Sequence, residues 1–406
     1  MIPVNEPLLD GNEKKYLMEC IDTGWISSEG PFVKRFEGEF AARVGRKYGI
    51  VVANGSVALD AAVAALRFGH GDEVIMPTFT IISCAAALVR AGVKPVLVDA
   101  DPITWNIDVE QLKEKIEDEI EIKGNKNIKA IMVVHIYGLP CDMDPIIELA
   151  EKYNLKIIED AAEMHGQTYK RSIECLADSG ELKKTQNPQP STLNLQPSNV
   201  FPCGSFGDIS TFSFYPNKHI TTGEGGMIVT DDFELAERCR SLRNLCFQAK
   251  KRYVHEELGW NFRFSNLQAA IGCAQLERLD EFVERKHRMG KCYTELLSDV
   301  PALQLPLPAT DYAENIYWVY GVVLKDKIPM DAEEFGKRLA SIGIGTRPFF
   351  WPMHKQPVFI KMGLFQNEHY PVAERLARRG LYLPSGLALT DSQIEQVCQA
   401  VEEVLS

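Results

Sequence analysis

The sequence has no run of about 18 or more apolar residues, the length that a helix needs to cross a membrane. The opening residues MIPVNE contain no charged segment followed by an apolar core, so we expect no secretory leader. We also expect no membrane partner. We therefore expect a cytoplasmic protein.

Basic residues are also in short supply. Lys and Arg number 44 against 56 Asp and Glu, which gives a formal net charge of −12. A protein that binds nucleic acid needs a basic surface to neutralise phosphates, so this balance argues against a nucleic-acid partner. An anionic substrate would need a local basic pocket.

The 10 cysteines lack the spacing of a metal site or of a disulfide framework. Their positions include no C-x-x-C pair and no cluster with histidine, the patterns that are typical of zinc sites. We therefore expect reduced, mostly structural thiols and no bound metal.

What the sequence does contain is an alternation of short apolar runs with helical patterns between about residues 46 and 230. The strand-like runs are residues 48–53, 73–76, 95–99, 130–135, 156–160, 210–214 and 226–230. Strands separated by helices indicate a mainly parallel sheet covered on both faces. We predict an α/β fold that binds its ligand beyond the carboxyl ends of the strands.

A length of 406 residues favours two domains of unequal size. One long helical pattern follows Phe264 and carries apolar residues as far as Phe282. It connects to a smaller α/β unit, with a strand-like run at 317–324 and helical patterns at 331–342 and from 391. We predict a large domain of residues 1–260 and a small C-terminal domain of residues 261–406.

Residues 171–202 break this alternation. The stretch QNPQPSTLNLQPS at 186–198 is polar, spaced by prolines, and has neither a helical nor a strand period. Such a composition buries too little apolar surface to offset the entropy of ordering. We predict a flexible surface insertion over 171–202.

Lys218 is the most informative residue chemically, because it follows the run TFSFYPN and precedes the glycine-rich turn TTGEGG at 221–226. A lysine in this setting, with Ser213 five residues earlier, suits a buried Schiff-base amine beside a bound phosphate. Upstream, an apolar strand ends at Asp160. A lysine and an acid at strand ends are typical of a pyridoxal phosphate site, where the carboxylate keeps the pyridine nitrogen protonated.

Asn54, Gly55 and Ser56 form a turn between a strand and a helix. Glycine lets the backbone approach a ligand and a helix N-terminus offers free amides, so the turn suits a phosphate. A serine at a helix start is also an ordinary cap. The turn by itself leaves both interpretations open.

Seven motifs occur in order along the chain: GWISS at 24–28, NGS at 54–56, PTFT at 77–80, EDAAE at 159–163, GSFGD at 204–208, SFYPNK at 213–218 with GEGG at 223–226, and GWNFR at 259–263. Together they resemble the DegT/StrS-type sugar aminotransferases, enzymes of fold type I that use pyridoxal 5′-phosphate to aminate keto groups on nucleotide-linked sugars. The resemblance covers nearly the whole chain apart from the insertion. It implies a large, mainly parallel sheet of seven-stranded type and a smaller C-terminal α/β domain.

The resemblance also implies two catalytic residues, Lys218 and Asp160, and a cofactor-binding role for Glu163. Lys218 would attach the cofactor covalently and move protons during catalysis. Asp160 would pair with the pyridine nitrogen, and Glu163 would lie near the ring hydroxyl.

Five further positions would contact the cofactor by the same resemblance. Gly55, Ser56 and Ser213 would hold its phosphate. Asn261 matches a residue that reaches the phosphate from the neighbouring subunit, which implies a homodimer with shared active sites. A helix cap before Phe262 is the alternative for Asn261. Ile81 stands where the family usually has an aromatic residue that stacks on the ring. An aliphatic side chain still packs on the ring but gives up the quadrupole interaction.

Within the family, one branch forms GDP-perosamine for O-antigen or other polysaccharide biosynthesis. The segments that resemble this branch are LDGNE at 9–13, CDMDP at 141–145, AQLER at 274–278, and RP at 347–348 with PMH at 352–354. That branch transfers an amino group from L-glutamate to C4 of GDP-4-keto-6-deoxymannose. Candidates for the sugar nucleotide are Trp25, Ser27, His165, Arg347 and His354. The guanidinium of Arg347 suits a diphosphate, whereas core packing is the alternative for Trp25 and His165.

Three other functions stay open at this point. Enzymes that aminate C4 or C3 of UDP- or TDP-linked keto sugars share most of these segments. A sugar 3-dehydratase that uses the amine form of the cofactor resembles the fold but carries histidine in place of Lys218, and a regulator without catalysis has no need of Lys218 or Asp160. The presence of both residues favours the aminotransferase.

Overall fold

The structure is a computed structural model, and it describes residues 1–172, 199–248 and 250–406. Its strands in chain order are β1 (Tyr48–Val52), β2 (Glu73–Pro77), β3 (Lys94–Val98), β4 (Ile128–Val134), β5 (Lys156–Asp160), β6 (Thr168–Lys170), β7 (Val200–Pro202), β8 (Ile209–Ser213), β9 (Gly226–Thr230), β10 (Leu303–Gln304), β11 (Tyr320–Leu324), β12 (Arg347–Pro348) and β13 (Gly380–Leu383). Its α-helices are α1 (Glu13–Thr23), α2 (Pro31–Arg43), α3 (Gly55–Ala65), α4 (Ile82–Arg90), α5 (Val109–Ile116), α6 (Met143–Tyr153), α7 (Phe233–Arg243), α8 (Asn266–Leu276), α9 (Leu279–Leu297), α10 (Ala332–Ser341), α11 (Pro357–Lys361), α12 (Pro371–Arg379) and α13 (Asp391–Leu405).

The large sheet has seven strands in the order β1-β9-β8-β5-β4-β2-β3. The strands β8, β5, β4, β2 and β3 pair in parallel, whereas β9 pairs antiparallel with both of its neighbours. Apolar clusters cover both faces, so Ile50 and Val52 belong to one cluster and Val51 to the other. The predicted α/β fold with a mainly parallel sheet is confirmed.

The carboxyl edge of this sheet gathers the polar residues of the predicted site. Strand β5 ends at Asp160 and β8 ends at Ser213, while α3 starts at Gly55 just after β1. Parallel neighbours present their carboxyl ends at one edge, so residues far apart in sequence meet there.

A second sheet, in the C-terminal part of the chain, has the antiparallel order β10-β11-β13-β12. The first residues of the chain lie against this part, since Ile2 bridges Ile344 and the amide of Ser385 donates to the carbonyl of Val4 at 2.9 Å. Residues 1–6 fall within the large domain predicted from the sequence, so their position is an exception to that division. The boundary near residue 260 stays a prediction.

The C-terminal part packs on the carboxyl edge of the large sheet, and several of its main-chain amides donate hydrogen bonds to that edge. The amide of Met353 donates to the carbonyl of Thr78 at 2.9 Å. The carboxylate of Asp99, just after β3, accepts from the amides of Val372 and Ala373 at 3.0 and 2.9 Å, at the start of α12. A buried carboxylate thus caps a helix from the other sheet.

The long helical pattern predicted after Phe264 is helical in the structure, and it is divided into two helices, α8 and α9. The break falls at Glu277 and Arg278, whose side chains bind the N-terminal segment: Glu277 accepts from Tyr16 at 2.6 Å and Arg278 pairs with Asp10. Neither glycine nor proline marks the break, and the apolar period continues through it. The sequence pattern therefore gave no sign of it.

The predicted insertion is shorter than 171–202, because its ends belong to an ordered strand pair. Strands β6 and β7 pair antiparallel. Next to them, the amide of Arg171 donates to the carbonyl of Asn199 at 2.9 Å, and Arg171 also forms an ion pair with Asp144 at 2.8 Å. The rest of the prediction, residues 173–198, lies outside the described residues.

Replacing residues 173–198 by a short turn should leave the fold intact. Arg171 and Asn199 are already joined by hydrogen bonds, so a turn of about two to four residues can connect them. Loop entropy changes by only about 0.6 kcal/mol per doubling of length, so the free energy of unfolding should not fall. Urea unfolding measures it.

A longer deletion that also removes β7 is the matched control for this prediction. It takes away the partner of β6, which carries the buried Tyr169, and should destabilise the protein. Aggregation of the shorter deletion, or loss of cofactor binding, would show that residues 173–198 are needed structurally.

None of the helices in the described part of the chain combines the length and the apolar character that a membrane span requires.

Candidate active site

A cavity of about 820 Å³ lies at the carboxyl edge of the large sheet and is bordered by the small sheet. The predicted site residues that line it are Gly55, Ser56, Ile81, Asp160, Glu163, Ser213, Lys218 and Arg347. The cavity has the size of a small-molecule site. The structure therefore brings the predicted cofactor residues of one chain together.

Lys218 follows β8 in a turn, where its amide donates to the carbonyl of Tyr215 at 2.9 Å. Its side chain is only 9% exposed, and Nζ lies 3.7 Å from Oε1 of Glu163. Burial lowers the pKa of the Lys218 amine, while the carboxyl groups of Glu163 and Asp160 act in the opposite direction. A lysine with a lowered pKa is a better nucleophile and proton acceptor near neutral pH.

Asp160, at the end of β5, has both carboxylate oxygens fixed. Its Oδ1 accepts from the amide of Ala162 at 3.0 Å, and its Oδ2 accepts from the thiol of Cys84 at 3.2 Å. Burial raises the pKa of Asp160, and the two donors and Lys218 oppose this rise. The carboxylate is held rigidly on the cavity wall, where a cationic ring nitrogen would satisfy it.

Glu163 is the second buried carboxyl group of the cavity. Its Oε2 accepts from the amide of Tyr137 at 2.6 Å. Tyr137 has a φ of 56°, and this left-handed backbone is what turns its amide toward the carboxylate. Burial raises the pKa of Glu163 to about 8. A carboxyl group with a raised pKa takes up a proton more readily, and in that form Glu163 is able to donate a hydrogen bond to a ligand oxygen.

The start of α3 forms an anion cradle with the end of β8. Asn54 caps the helix by accepting from the amide of Val57 at 3.0 Å, and the amides of the first turn lack partners within the helix. A Cβ on Gly55 would lie 2.7 Å from Cβ of Ser213, so only glycine allows this approach. The hydroxyl of Ser56 lies 2.7 Å from that of Ser83. Free amides and hydroxyls at a helix N-terminus fit a phosphate.

The polar groups that line the cavity fit the functional groups of pyridoxal phosphate. The cavity holds a buried amine, which suits the aldehyde of the cofactor, and an anion cradle, which suits its phosphate. Its two buried carboxyl groups suit the pyridinium nitrogen and the ring hydroxyl. Ile81 is the N-cap residue of α4, and its exposed side chain gives the wall an apolar face. Arg347 borders the cavity from β12.

Three predicted residues lie outside the cavity lining of the single chain. The carbonyls of Trp25 and Ser27 both accept from Asn266, at 2.7 Å in each case, while the side chain of Trp25 is about half exposed. Asn261 is exposed and bridges Asn244 through the main chain. The contacts predicted for these three residues with substrate or phosphate stay predictions, and for Asn261 the predicted contact is with the neighbouring subunit.

The two predicted histidines are buried away from the cavity lining. His165 stacks between Phe212 and Phe214, with ring centroids 5.7 and 5.4 Å apart, so the core-packing alternative describes its position. The turn after Glu163 directs the imidazole ring of His165 away from the cavity and into an apolar cluster. Nδ1 of His354 lies 2.8 Å from the hydroxyl of Thr78, and Nε2 lies 3.0 Å from Glu374. The structure does not bring either ring to the substrate space.

Sequence reasoning missed several lining residues, among them His135, Trp318 and Tyr382. His135 follows β4 at the same edge as Asp160, so the polar end of an apolar strand was an available signal. Its Nδ1 accepts from the amide of Cys141 at 3.0 Å, which leaves Nε2–H to donate to Glu159 at 3.1 Å. Trp318 and Tyr382 reach the cavity from the small sheet, and no local motif marks them.

Comparison with known proteins agrees with this arrangement. The model of the DegT/DnrJ/EryC1/StrS aminotransferase family matches residues 7–402. A GDP-perosamine synthase of Escherichia coli O157:H7 is 38% identical over 405 residues, covering 100% of this chain and 99% of that protein. The GDP-perosamine synthase of Caulobacter vibrioides is 39% identical over 404 residues, covering 100% and 98%.

Solved structures give the same result. The aminotransferase TlmJ from Streptoalloteichus hindustanus has a TM-score of 0.84 and 28% identity, covering 100% of this chain and 99% of its own. Both sequence and fold therefore match over the full length. The chain belongs to the DegT/DnrJ/EryC1/StrS aminotransferase family.

Proposed function

We propose that this chain transfers an amino group from L-glutamate to C4 of GDP-4-keto-6-deoxymannose and so forms GDP-perosamine. Membership of the family makes it a sugar aminotransferase that uses pyridoxal phosphate. The grouping of Lys218, Asp160 and Glu163 around one cavity is the observation that carries the catalytic part. The two full-length relatives named GDP-perosamine synthase support the choice of sugar.

Bound pyridoxal phosphate supplies an electron sink that stabilises the carbanion left when an amino acid loses its α-proton. Asp160 would hold the proton on the ring nitrogen, and Glu163 would donate to the ring hydroxyl. Gly55, Ser56 and Ser213 would bind the phosphate through amides and hydroxyls. Ile81 would pack on the ring face.

Lys218 would move the protons of the reaction. Its Nζ, more easily neutral because burial lowers its pKa, accepts the α-proton of the amino donor. In the second half of the reaction the same atom returns a proton to C4 of the sugar. The donor would leave as a 2-oxo acid, whose new carbonyl oxygen comes from a water molecule. The keto sugar would leave as an amine and release its carbonyl oxygen as water, so nitrogen, oxygen and protons balance.

The diphosphate of the sugar nucleotide would bind at the small-sheet side of the cavity. Arg347 lines that side, and its planar guanidinium forms two hydrogen bonds with a phosphate group. A homodimer would add residues from a second copy, and Asn261 of that copy would reach the cofactor phosphate. Trp25 and Ser27 stay candidates for the substrate in such a dimer. A cytoplasmic location also stays a prediction.

The test is incubation of the cofactor-loaded protein with ¹⁵N-labelled L-glutamate and GDP-, UDP- and TDP-linked keto sugars, followed by mass spectrometry. We expect a GDP-linked amino sugar that carries ¹⁵N. Activity with UDP or TDP sugars alone would overturn the choice of nucleotide. A product that lacks the C3 oxygen and carries no ¹⁵N would identify a dehydratase. Omission of glutamate is the control.

A further inference from the structure

Trp318 lies against the reactive lysine. Nζ of Lys218 is 3.7 Å from the centroid of the Trp318 ring, as close as it is to Oε1 of Glu163. Trp318 is 4% exposed and lines the cavity. An ammonium at this distance from an indole face is attracted by the ring quadrupole, and the attraction grows when water is excluded.

The indole is fixed in place from two directions. Its Nε1–H donates to the carbonyl of Asn217 at 2.7 Å, on the residue just before Lys218. The carbonyl of Trp318 itself accepts from Nζ of Lys286 at 2.9 Å, and Lys286 is a buried residue of α9 that also donates to the carbonyl of Ser385. A ring held at both its edge and its main chain keeps its face toward Lys218.

We propose that the Trp318 indole is the docking face of the Lys218 ammonium group whenever Lys218 is not bound covalently, and that Trp318 is therefore a positioning residue. The proposal rests on the proposed function, in which Lys218 is freed from the cofactor and later returns to it. A neutral aromatic face holds the amine beside the cavity without adding another carboxylate. The amine is thus retained close to its point of return.

The other groups that face Lys218 are accounted for. The carboxyl groups of Asp160 and Glu163 favour the ammonium form, and burial disfavours it. His165 and His219 are buried, and burial lowers the pKa of both rings, so they are neutral. The indole is the remaining attractive contact of Nζ in the described part of the chain, and its removal should lower the pKa of Lys218.

The test measures the pKa of Lys218 in the cofactor-free protein. Trace acetylation with acetic anhydride at a series of pH values, followed by peptide mass spectrometry, reports each lysine separately. We expect the pKa to fall in the order wild type, Trp318→Phe, Trp318→Leu, with a total shift of about one unit. The control is Trp351→Leu, which removes a 54% exposed indole whose Nε1 donates to a carbonyl as well.

The Phe and Leu variants separate the ring face from the hydrogen bond to Asn217, since both lose Nε1–H and only Leu loses the aromatic face. Equal pKa values in the two variants, or an unchanged value in Trp318→Leu, would overturn the proposal. If Trp318→Leu does not fold, fluorinated tryptophans inserted at position 318 replace it, because fluorine weakens the face without changing its shape. A graded fall of the pKa with fluorination supports docking, and a constant pKa overturns it.

This measurement uses neither glutamate nor a sugar nucleotide. Failure to aminate any keto sugar would therefore overturn the proposed function without changing the pKa series. A flat pKa series in an active enzyme would overturn only the role of Trp318. The two proposals fail separately.

Discussion

Lys218→Ala should lose at least about a thousandfold in aminotransfer, to below detection in a routine assay. Lys218 is the only lysine among the described residues that line the cavity, so the variant should lose both covalent attachment and proton transfer. The protein should still fold, because Lys218 belongs to none of the apolar clusters. The variant also removes the free-energy cost of burying the Lys218 amine.

Product formation, the absorbance of the bound cofactor and the urea midpoint measure this prediction. The absorbance band of the lysine-bound cofactor should disappear, while the urea midpoint stays near that of wild type. Lys337→Ala, which removes an exposed lysine of α10, is the matched control and should change none of the three. A near-normal rate in Lys218→Ala would mean that another amine does the chemistry.

Asp160→Asn should lower turnover by about a hundredfold or more, the scale on which removal of one preorganised electrostatic partner acts. The amide has nearly the same shape and still accepts from Ala162, so the cavity is preserved. What it loses is the negative charge that would hold the proton on the ring nitrogen. Cofactor binding should persist, with slower chemistry.

The urea midpoint of Asp160→Asn distinguishes a loss of turnover from misfolding. Burial raises the pKa of Asp160 in the folded protein above its value in the unfolded chain. The free energy of unfolding therefore falls as the pH rises from the lower to the higher of these two pKa values, because Asp160 ionises less readily in the folded protein. The neutral amide removes this cost, and the urea midpoint at pH 7 should be no lower than that of wild type. A turnover within about threefold of wild type would contradict the role given to Asp160.

The parts of the site that the sequence predicted share one property. Asp160, Ser213 and Gly55 stand at the ends of strands or the start of a helix, and a parallel sheet brings such ends together whatever their sequence separation. Local motifs are enough to find them. His165 lies two residues after Glu163, yet the backbone turn between them directs its ring to the opposite face, and spacing alone does not reveal that.

The parts that the sequence did not predict depend on contacts between distant segments. Trp318 reaches Lys218 only because the C-terminal sheet packs on the edge of the large one. The break between α8 and α9 depends likewise on Tyr16 and Asp10, more than 250 residues away in sequence. Periodicity describes which face of an element is apolar, and it does not report which partner that face meets.

The hydrogen bonds between the two sheets restrict how the enzyme moves. Met353 is tied to Thr78, Asp99 to the start of α12, and Trp318 to Asn217. A hinge rotation of the C-terminal part as a rigid body would break all of these contacts at once. We therefore expect a sugar nucleotide to enter past the side chains at the cavity rim, among them Arg347, without separation of the two parts of the chain.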